Sequence, residues 1–302
     1  MTTAGRTDPD GPVLVTGAAG GQQGSTGRHV VRILLERGRS VRALVHHEDE
    51  RAAALAKLGA EVVVGDLREI QDTRRAMRGV RSAYFTYPVT DGLLEATGAF
   101  AAAAREEGVQ RVVETSQLAA DPDAGTPRMR QHWVSEQVFD WAGVGAVHLR
   151  AAVFFENLDF LLRAGGEGSE LRMPLGPGGT VLPLVAGEDV ARVAAGLLGH
   201  PRAEPPGSVV LLVGEVLTVG QVVQTYSGFG PRHVRYVDVP PKTWRRQAEA
   251  IYRDEHTVDH LDHLWALFRA IDAHHELYHV TPTIETLGGR LPIRLADFVA
   301  GG

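Results

Sequence analysis

A glycine-rich turn between a short apolar run and an amphipathic segment is the feature that most constrains this sequence. Residues 13–38 are VLVTGAAGGQQGSTGRHVVRILLERG, in which 13–16 predicts a strand and 30–37 has helical spacing. Glycines at such a junction let backbone N–H groups approach a pyrophosphate, whose charge then lies at the helix N-terminus. The segment therefore predicts the start of a dinucleotide-binding fold.

We assign three glycines of this turn to phosphate binding: Gly17, Gly20 and Gly27, with Thr26 beside the last of them. The usual spacing has two residues between the second and third glycines, whereas six stand between them here. Two arrangements remain open. Either the intervening residues bulge out of the turn, or Gly24 replaces one of the three.

Strand-type and helix-type segments alternate after this turn. The predicted strands are 41–45, 61–65, 83–86, 111–115 and 147–149, and the predicted helices are 51–58, 73–77, 93–107 and 131–141. This alternation predicts βαβ units and a parallel sheet that is covered on both faces. We expect an α/β fold: a Rossmann-type doubly wound parallel sheet with a smaller, mainly helical C-terminal lobe.

The length of 302 residues is about twice the ~150 residues expected of one domain. We predict a flexible tail over 1–12, an NAD(P)-binding Rossmann domain over 13–155 and a C-terminal substrate lobe over 156–302. Within that lobe, residues from about 180 to 213 are expected to return to the sheet. The glycine- and proline-rich stretch 165–179 predicts a loop.

Composition excludes several classes of function. The net charge is −6 with scattered basic residues, whereas a nucleic-acid binder typically has a clustered basic face. No apolar run approaches the ~20 residues that span a bilayer, and the polar start has no signal-type apolar segment. The chain has no cysteine, hence no thiolate nucleophile. These features predict a cytoplasmic protein without membrane or nucleic-acid partners.

Several segments in order resemble the NmrA-like family of atypical short-chain dehydrogenase/reductases. They are VTGAAG, GRHVVRILLERG, VRALVHH, GAEVVVGDL, GVQRVVETS, HLRAAVFFENL and GEDVAR, which together cover most of the chain. The resemblance implies a Rossmann domain and an NAD(P) cofactor. The family holds both reductases and redox-sensing regulators without strong catalysis.

The resemblance also implies which residues meet the cofactor. Asp66 and Leu67 match the pair that meets the adenine, and Tyr87 and Pro88 follow the fourth strand, where the family passes the cofactor ribose. Family members often have arginine at the position of His46. Because no acid stands there to bind the ribose 2′-hydroxyl of NAD, the sequence favours NADP(H) over NAD(H). The alternative is that His46 is a solvated turn residue.

The catalytic residues depart from the ordinary Ser, Tyr and Lys of short-chain reductases. Ser116 stands where the family's serine would, and Glu136 matches the family's glutamate. His132 then occupies the lysine place and Arg128 the tyrosine place. An imidazole of ordinary pKa, ~6.5, is a suitable general acid at neutral pH. Two alternatives for His132 stay open: holding the nicotinamide ribose, or helix packing.

The remaining candidates concern the substrate and metals. Phe155 and Asn157 match the family's apolar-Asn segment and are predicted to contact substrate. His256, His260 and His263 lie at i, i+4 and i+7 on one helix face. That spacing suits a metal, but a polar helix face is the commoner cause, and we expect no metal.

Three functions are compatible with this sequence. The first is an NAD(P)H-dependent reductase of a small carbonyl, quinone or enone, with a non-standard active site that lacks the Tyr-Lys pair. The second is an NADP(H)-sensing regulatory protein that contacts a protein partner without turnover, and the third is a non-redox isomerase or cyclase. The sequence leaves the substrate, the proton donor and the oligomeric state open.

Overall fold

The structure is a computed structural model that describes residues 11–20, 25–164, 169–199, 205, 207–229, 233–271 and 273–301. Most of the predicted tail over 1–12 lies outside the described residues. Gly24 also lies outside them.

Strands and helices alternate through the first half of the chain, as predicted. In chain order they are β1 (Val13–Val15), α1 (Thr26–Glu36), β2 (Val41–Val45), α2 (Glu50–Leu58), β3 (Glu61–Val64), α3 (Ile70–Met77), β4 (Ser82–Phe85), α4 (Leu93–Glu107), β5 (Arg111–Gln117), α5 (Pro127–Ala142) and β6 (Ala146–Ala151). Helix α5 begins four residues earlier than the sequence suggested. Its start is fixed by Pro127 in the first turn and by the Thr126 side chain, which accepts from the Met129 N–H at 3.0 Å.

The second half adds short strands as well as helices. They are β7 (Val153–Phe154), α6 (Phe155–Ala164), β8 (Glu170–Met173), β9 (Val181–Val185), α7 (Gly187–Gly199), β10 (Val209–Leu212), β11 (Glu215–Thr218), α8 (Val219–Phe229), β12 (Arg235–Asp238), α9 (Pro241–Tyr252), α10 (Glu255–Ala270), a 3₁₀ turn (Glu276–Tyr278), α11 (Thr283–Gly288) and α12 (Leu295–Ala300). The stretch 165–179 is therefore not all loop: β8 lies within it and pairs with β12.

Strands β1 to β6 and β10 form one seven-stranded sheet. Its strand order is β10-β6-β5-β4-β1-β2-β3, and every pairing is parallel. The chain order reverses between β1 and β4, and ligands bind outside the carboxyl ends of the strands at such a switch point. The prediction of a doubly wound parallel sheet is confirmed.

The segment 180–213 divides between two sheets. Strand β10 joins the edge of the seven-stranded sheet beside β6, whereas β9 pairs with β7 and β11 in a three-stranded sheet. Helix α7 between them is buried along most of its length and packs against α1.

The C-terminal lobe has a separate apolar core. Trp244 of α9 and Trp265 of α10 meet edge to face with ring centroids 6.2 Å apart, and both are buried. Helix α10 thus has one side in this core and another toward the carboxyl ends of β4 and β5, because Thr257 and His260 contact residues there. This placement brings the lobe over the switch point.

Candidate functional site

A continuous cavity of about 900 Å³ runs along the carboxyl ends of β1, β2, β4 and β5 and ends beneath α10. Nine of the residues that the sequence assigns to the cofactor line it. They are Gly17, Gly20, Thr26, Gly27, His46, Asp66, Leu67, Tyr87 and Pro88. Ser116, His132 and Asn157 line it too, so the structure brings nearly all of the predicted residues together around one cavity.

The glycine turn closes tightly against the start of α1. A Cβ on Gly27 would lie 2.6 Å from the carbonyl oxygen of Gly17, so only glycine lets these two backbone segments meet. Gly17 and Gly20 have φ of +61° and +71°, which non-glycine residues rarely adopt. The close approach at Gly27 and the positive φ angles at Gly17 and Gly20 explain why the turn requires glycine at all three positions.

The N-terminus of α1 is available to an anion. Ser25 makes no side-chain capping hydrogen bond, and the first turn of the helix carries no acidic residue. Orphan N–H groups and the helix dipole at such an end favour a phosphate. The turn and the helix end therefore fit a pyrophosphate.

The first turn of α2 carries a basic group, Arg51, that sequence reasoning missed. Arg51 lines the cavity near His46, and its Nη1 donates to the carbonyl oxygen of Gly20 at 3.3 Å. Asp49 caps α2 and pairs with Arg51 at 2.6 Å. The sequence signal that could have identified Arg51 is the helix-capping acid Asp49 two residues before it.

Asp66 follows β3 and forms an ion pair with Arg68. The two side chains pair at 2.7 Å, and this hydrogen bond from Arg68 lowers the pKa of Asp66 to about 2. The backbone N–H of Asp66 donates to the Asp72 side chain at 3.0 Å. Asp66 is therefore an ionised, fixed acceptor on the cavity wall.

The loop after β4 is held from two directions. Arg128 of α5 donates to the carbonyl oxygen of Thr90 at 2.9 Å and to that of Pro88, and Thr257 of α10 donates to that of Val89 at 2.5 Å. The hydroxyl of Tyr87 lies on the same loop. Three successive carbonyl groups thus accept hydrogen bonds from both sides of the cavity.

Ser116 is part of a buried ionic network. Its Oγ donates to Glu136 at 2.6 Å, and Arg150 donates to the other oxygen of the same carboxylate, also at 2.6 Å. Because its proton is directed to Glu136, Ser116 offers lone pairs rather than a proton to a ligand. Glu136 was placed by its position in the sequence, but Arg150 was not predicted.

His132 is on the cavity wall, but its charge state differs from the prediction. Burial, with a smaller effect of the nearby Arg128 charge, lowers the pKa of His132 well below its usual value. Its Nδ1 is buried without a hydrogen-bond partner. Of the three roles that the sequence leaves open for His132, the general acid needs a pKa near the ordinary value, and burial shifts the pKa away from it.

Phe155, which the sequence predicts to contact substrate, does not line the cavity. Its side chain is fully buried and packs against Phe298 at a centroid distance of 5.5 Å. The preceding Phe154 lines the cavity instead, because neighbouring residues at the end of a strand point to opposite sides. Asn157 also lines it, and its Oδ1 is buried without a partner.

The far wall of the cavity comes from the C-terminal lobe and is largely apolar. Its lining residues are Tyr252, Asp254, Thr257, His260, Leu261, Leu264, Trp265, Leu267, Phe268 and Leu277. This wall lies in the segment 156–302, which the sequence predicts to be a substrate lobe. The identity of the lining residues depends on how α10 packs over the sheet, which spacing does not fix.

The three histidines of α10 do not converge. His256 pairs with Asp91 at 3.5 Å, His260 contacts the Gln117 amide at 3.2 Å, and His263 hydrogen-bonds the backbone of its own helix. Among the described residues there is no group of three or more His, Asp or Glu that could hold a metal ion. The same part of the chain contains no helix with the length and apolar character needed to cross a bilayer.

Comparison with known proteins gives consistent matches. A sequence model of the NmrA-like family matches residues 9–287. The chain is 28% identical over 257 residues to the NAD(P)H azoreductase of Xenophilus azovorans, which covers 84% of this chain and 86% of that protein.

Solved structures with the same fold include a reductase and a transcriptional regulator. An NADPH-dependent quinone oxidoreductase from Escherichia coli in complex with NADPH superposes with a TM-score of 0.77 at 21% identity, covering 96% of this chain and 99% of that chain. NmrA, a negative transcriptional regulator, in complex with NADP superposes with a TM-score of 0.74 at 18% identity, covering 96% and 95%.

Proposed function

Because the chain belongs to the NmrA-like family, we propose that it is an NAD(P)H-dependent reductase of a small, flat carbonyl, quinone or enone. The observation that carries this proposal is the continuity of the cavity. It joins the glycine turn after β1 to the apolar wall of α10, so a dinucleotide and a second, apolar molecule can lie end to end. The similarity to an NAD(P)H azoreductase and to the fold of an NADPH-dependent quinone oxidoreductase supports the reductase proposal.

The residues of the nucleotide half fit the cofactor. Gly17, Gly20 and Gly27, with Thr26 at the start of α1, would hold the pyrophosphate. On this proposal Asp66 and Leu67 lie at the adenine, and Tyr87 and Pro88 lie along the ribose on the nicotinamide side. When bound, NAD(P)H supplies a hydride to the second molecule.

NADP(H) is our proposed preference over NAD(H). His46 and Arg51 line the same end of the cavity, and the acid beside them, Asp49, is already paired with Arg51. A ribose 2′-phosphate would find a guanidinium there, which binds phosphate well. Arg51 thus offers the phosphate further hydrogen-bond donors beside His46.

We infer the substrate class from the absence of a Tyr-Lys pair on helix α5. Helix α5 has Arg128 and His132 where ordinary short-chain reductases have Tyr and Lys, and His132 is neutral. A ketone needs a proton as the hydride arrives, whereas a quinone accepts the hydride and holds the charge until water protonates it. The site therefore suits acceptors that stabilise negative charge by conjugation.

A second candidate is an NADP(H) sensor without turnover. The same departure from Tyr and Lys favours it, and the regulator NmrA has this fold. Both candidates predict cofactor binding, but only the reductase predicts its oxidation.

The test is NADPH and NADH oxidation by the purified chain against a panel of acceptors: a naphthoquinone, an azo dye, a cyclic enone and an aldehyde. We expect oxidation with the quinone or the azo dye and little with the aldehyde. Tight NADPH binding without oxidation by any acceptor would overturn the reductase and support the sensor.

A further inference from the structure

Arg128 is a buried cation without an ion-pair partner. Its side chain is buried, with 5% of the residue exposed, and among the described residues no carboxylate oxygen lies within 4.0 Å of its guanidinium. Its hydrogen bonds go to the carbonyl groups of Pro88 and Thr90 and to the Gln131 amide, and its Nε has no partner. Buried charges are normally paired or bound to a metal, so this one needs another explanation.

The groups around Arg128 face the cavity. Pro88 and Thr90, which accept its hydrogen bonds, both line the cavity. Met129 and His132 of the same helix also line it, and His132 lies at i+4 from Arg128, where side chains are neighbours. We call the part of the cavity that is lined by α10 and by Met129 and His132 of α5 the substrate half. The guanidinium thus lies directly behind the wall of the substrate half.

The charge of Arg128 acts on histidines in two walls of the cavity, one from α5 and one from α10. Burial lowers the pKa of Arg128 to about 10, so it remains protonated at neutral pH. Its charge adds to burial in lowering the pKa of His132 on α5 and of His260 on α10. Both histidines are therefore neutral. Asp91 and Asp254 also line the cavity, and their charges partly oppose the effect of burial on the pKa of Arg128.

We propose that Arg128 makes the substrate half of the cavity a site for planar aromatic molecules that carry or acquire negative charge. This inference rests on the proposed function. A quinone that accepts a hydride from NAD(P)H becomes the hydroquinone monoanion and leaves NAD(P)⁺; a proton from water then completes the hydroquinone. A fixed positive charge behind the wall stabilises the monoanion without donating a proton. Arg128 is thus a positioning residue, which also holds the loop at Pro88 and Thr90.

The inference is tested first by binding. In the presence of NADP⁺, calorimetry compares 2-hydroxy-1,4-naphthoquinone, which is an anion at neutral pH, with its neutral 2-methoxy analogue. We expect the wild-type protein to prefer the anion by on the order of tenfold, the effect of a charge about two side chains away at the effective dielectric of a protein interior. Arg128→Gln should remove this preference, whereas Arg128→Lys should keep most of it.

The matched control is Arg130→Gln. Arg130 lies on the same helix but is exposed, and it donates to the carbonyl oxygen of Ala124 at 2.7 Å. Its removal changes the net charge equally and should leave the ratio of the two affinities unchanged. Circular dichroism checks that each variant is folded. If Arg128→Gln fails to fold, Arg128→Met, which keeps an unbranched side chain but removes the charge, should likewise lose the preference.

Equal affinities of the two quinones in the wild-type protein, or an equal ratio in Arg128→Gln, would overturn the inference. A purely structural role of Arg128 would weaken both ligands together and leave the ratio constant. Because binding requires no turnover, failure of the proposed reductase activity would appear separately, as NADPH that binds without being oxidised. In an active protein saturated with NADPH, Arg128→Gln should lower single-turnover hydride transfer about tenfold.

Discussion

The Oγ of Ser116 donates a 2.6 Å hydrogen bond to Oε1 of Glu136, a carboxylate that is almost wholly buried. Arg150 completes this group by donating to both oxygens of Glu136. The arrangement links the end of β5 to α5 and β6, so it fixes the part of the cavity wall on which Ser116 and His132 lie.

Glu136→Gln should lower the free energy of unfolding by about 2 kcal/mol, because it leaves the partly buried Arg150 without its counter-charge. Ser116→Ala removes only one hydrogen bond and should cost about 1 kcal/mol. Urea unfolding of the two variants and the wild type measures both values. A Glu136→Gln variant as stable as the wild type would show that the network contributes little.

Gly27→Ala should abolish cofactor binding, since its Cβ would meet the Gly17 carbonyl oxygen at 2.6 Å and force the turn open. Gly98→Ala is the matched control: it lies within α4, where an added Cβ meets nothing within 4 Å. That variant should bind NADPH normally and gain up to ~1 kcal/mol of stability from helix propensity. Calorimetric titration with NADPH measures both; normal binding by folded Gly27→Ala would contradict the role of this turn.

Arg51→Ala should weaken NADPH binding about tenfold, the usual worth of a charge-assisted hydrogen bond, and change NADH binding much less. Lys57→Ala removes an exposed charge from the same helix, away from the cavity, and should affect neither cofactor. Fluorescence titrations with both cofactors give the four dissociation constants. Equal losses for NADPH and NADH in Arg51→Ala would rule out a contact with the 2′-phosphate.

The neutral histidines should make stability fall as the pH is lowered. Burial lowers the pKa of His260 to about 3, so between pH ~6.5 and 3 the unfolded chain binds a proton that folded His260 does not. This residue should therefore cost up to about 1.4 kcal/mol per pH unit through that range. His260→Gln should flatten the dependence of unfolding free energy on pH by that amount. An unchanged slope would mean that the folded protein protonates His260.

Much of the fold was predictable because periodicity and turn chemistry are local. Strands β1 to β6, the helices between them and the roles of Gly17, Gly20 and Gly27 as turn glycines all follow from short sequence patterns. The paired strands β8 and β12 were not predicted. Each has four residues, and their pairing joins segments more than sixty residues apart, so no local signal marks them.

The site was predictable only in part, for the same reason. Phe154 and Phe155 are adjacent apolar residues, and only packing decides which one faces the ligand. The pKa of His132 depends on burial and on Arg128, neither of which the helical spacing reveals. Arg51 stands outside the turn motif and reaches the cavity because its helix packs beside the glycine turn.

The measurement that tests the account most directly uses a variant that fills the substrate half alone. Ala119 is half-buried and lines the cavity away from the glycine turn. In stopped-flow single turnovers with a naphthoquinone, the wild-type protein should oxidise bound NADPH, and Ala119→Trp should bind NADPH with an unchanged dissociation constant but oxidise it at least about tenfold more slowly. Equal oxidation rates in the two proteins, or a wild-type protein that holds NADPH without oxidising it, would contradict a reductase whose cofactor and substrate share this cavity.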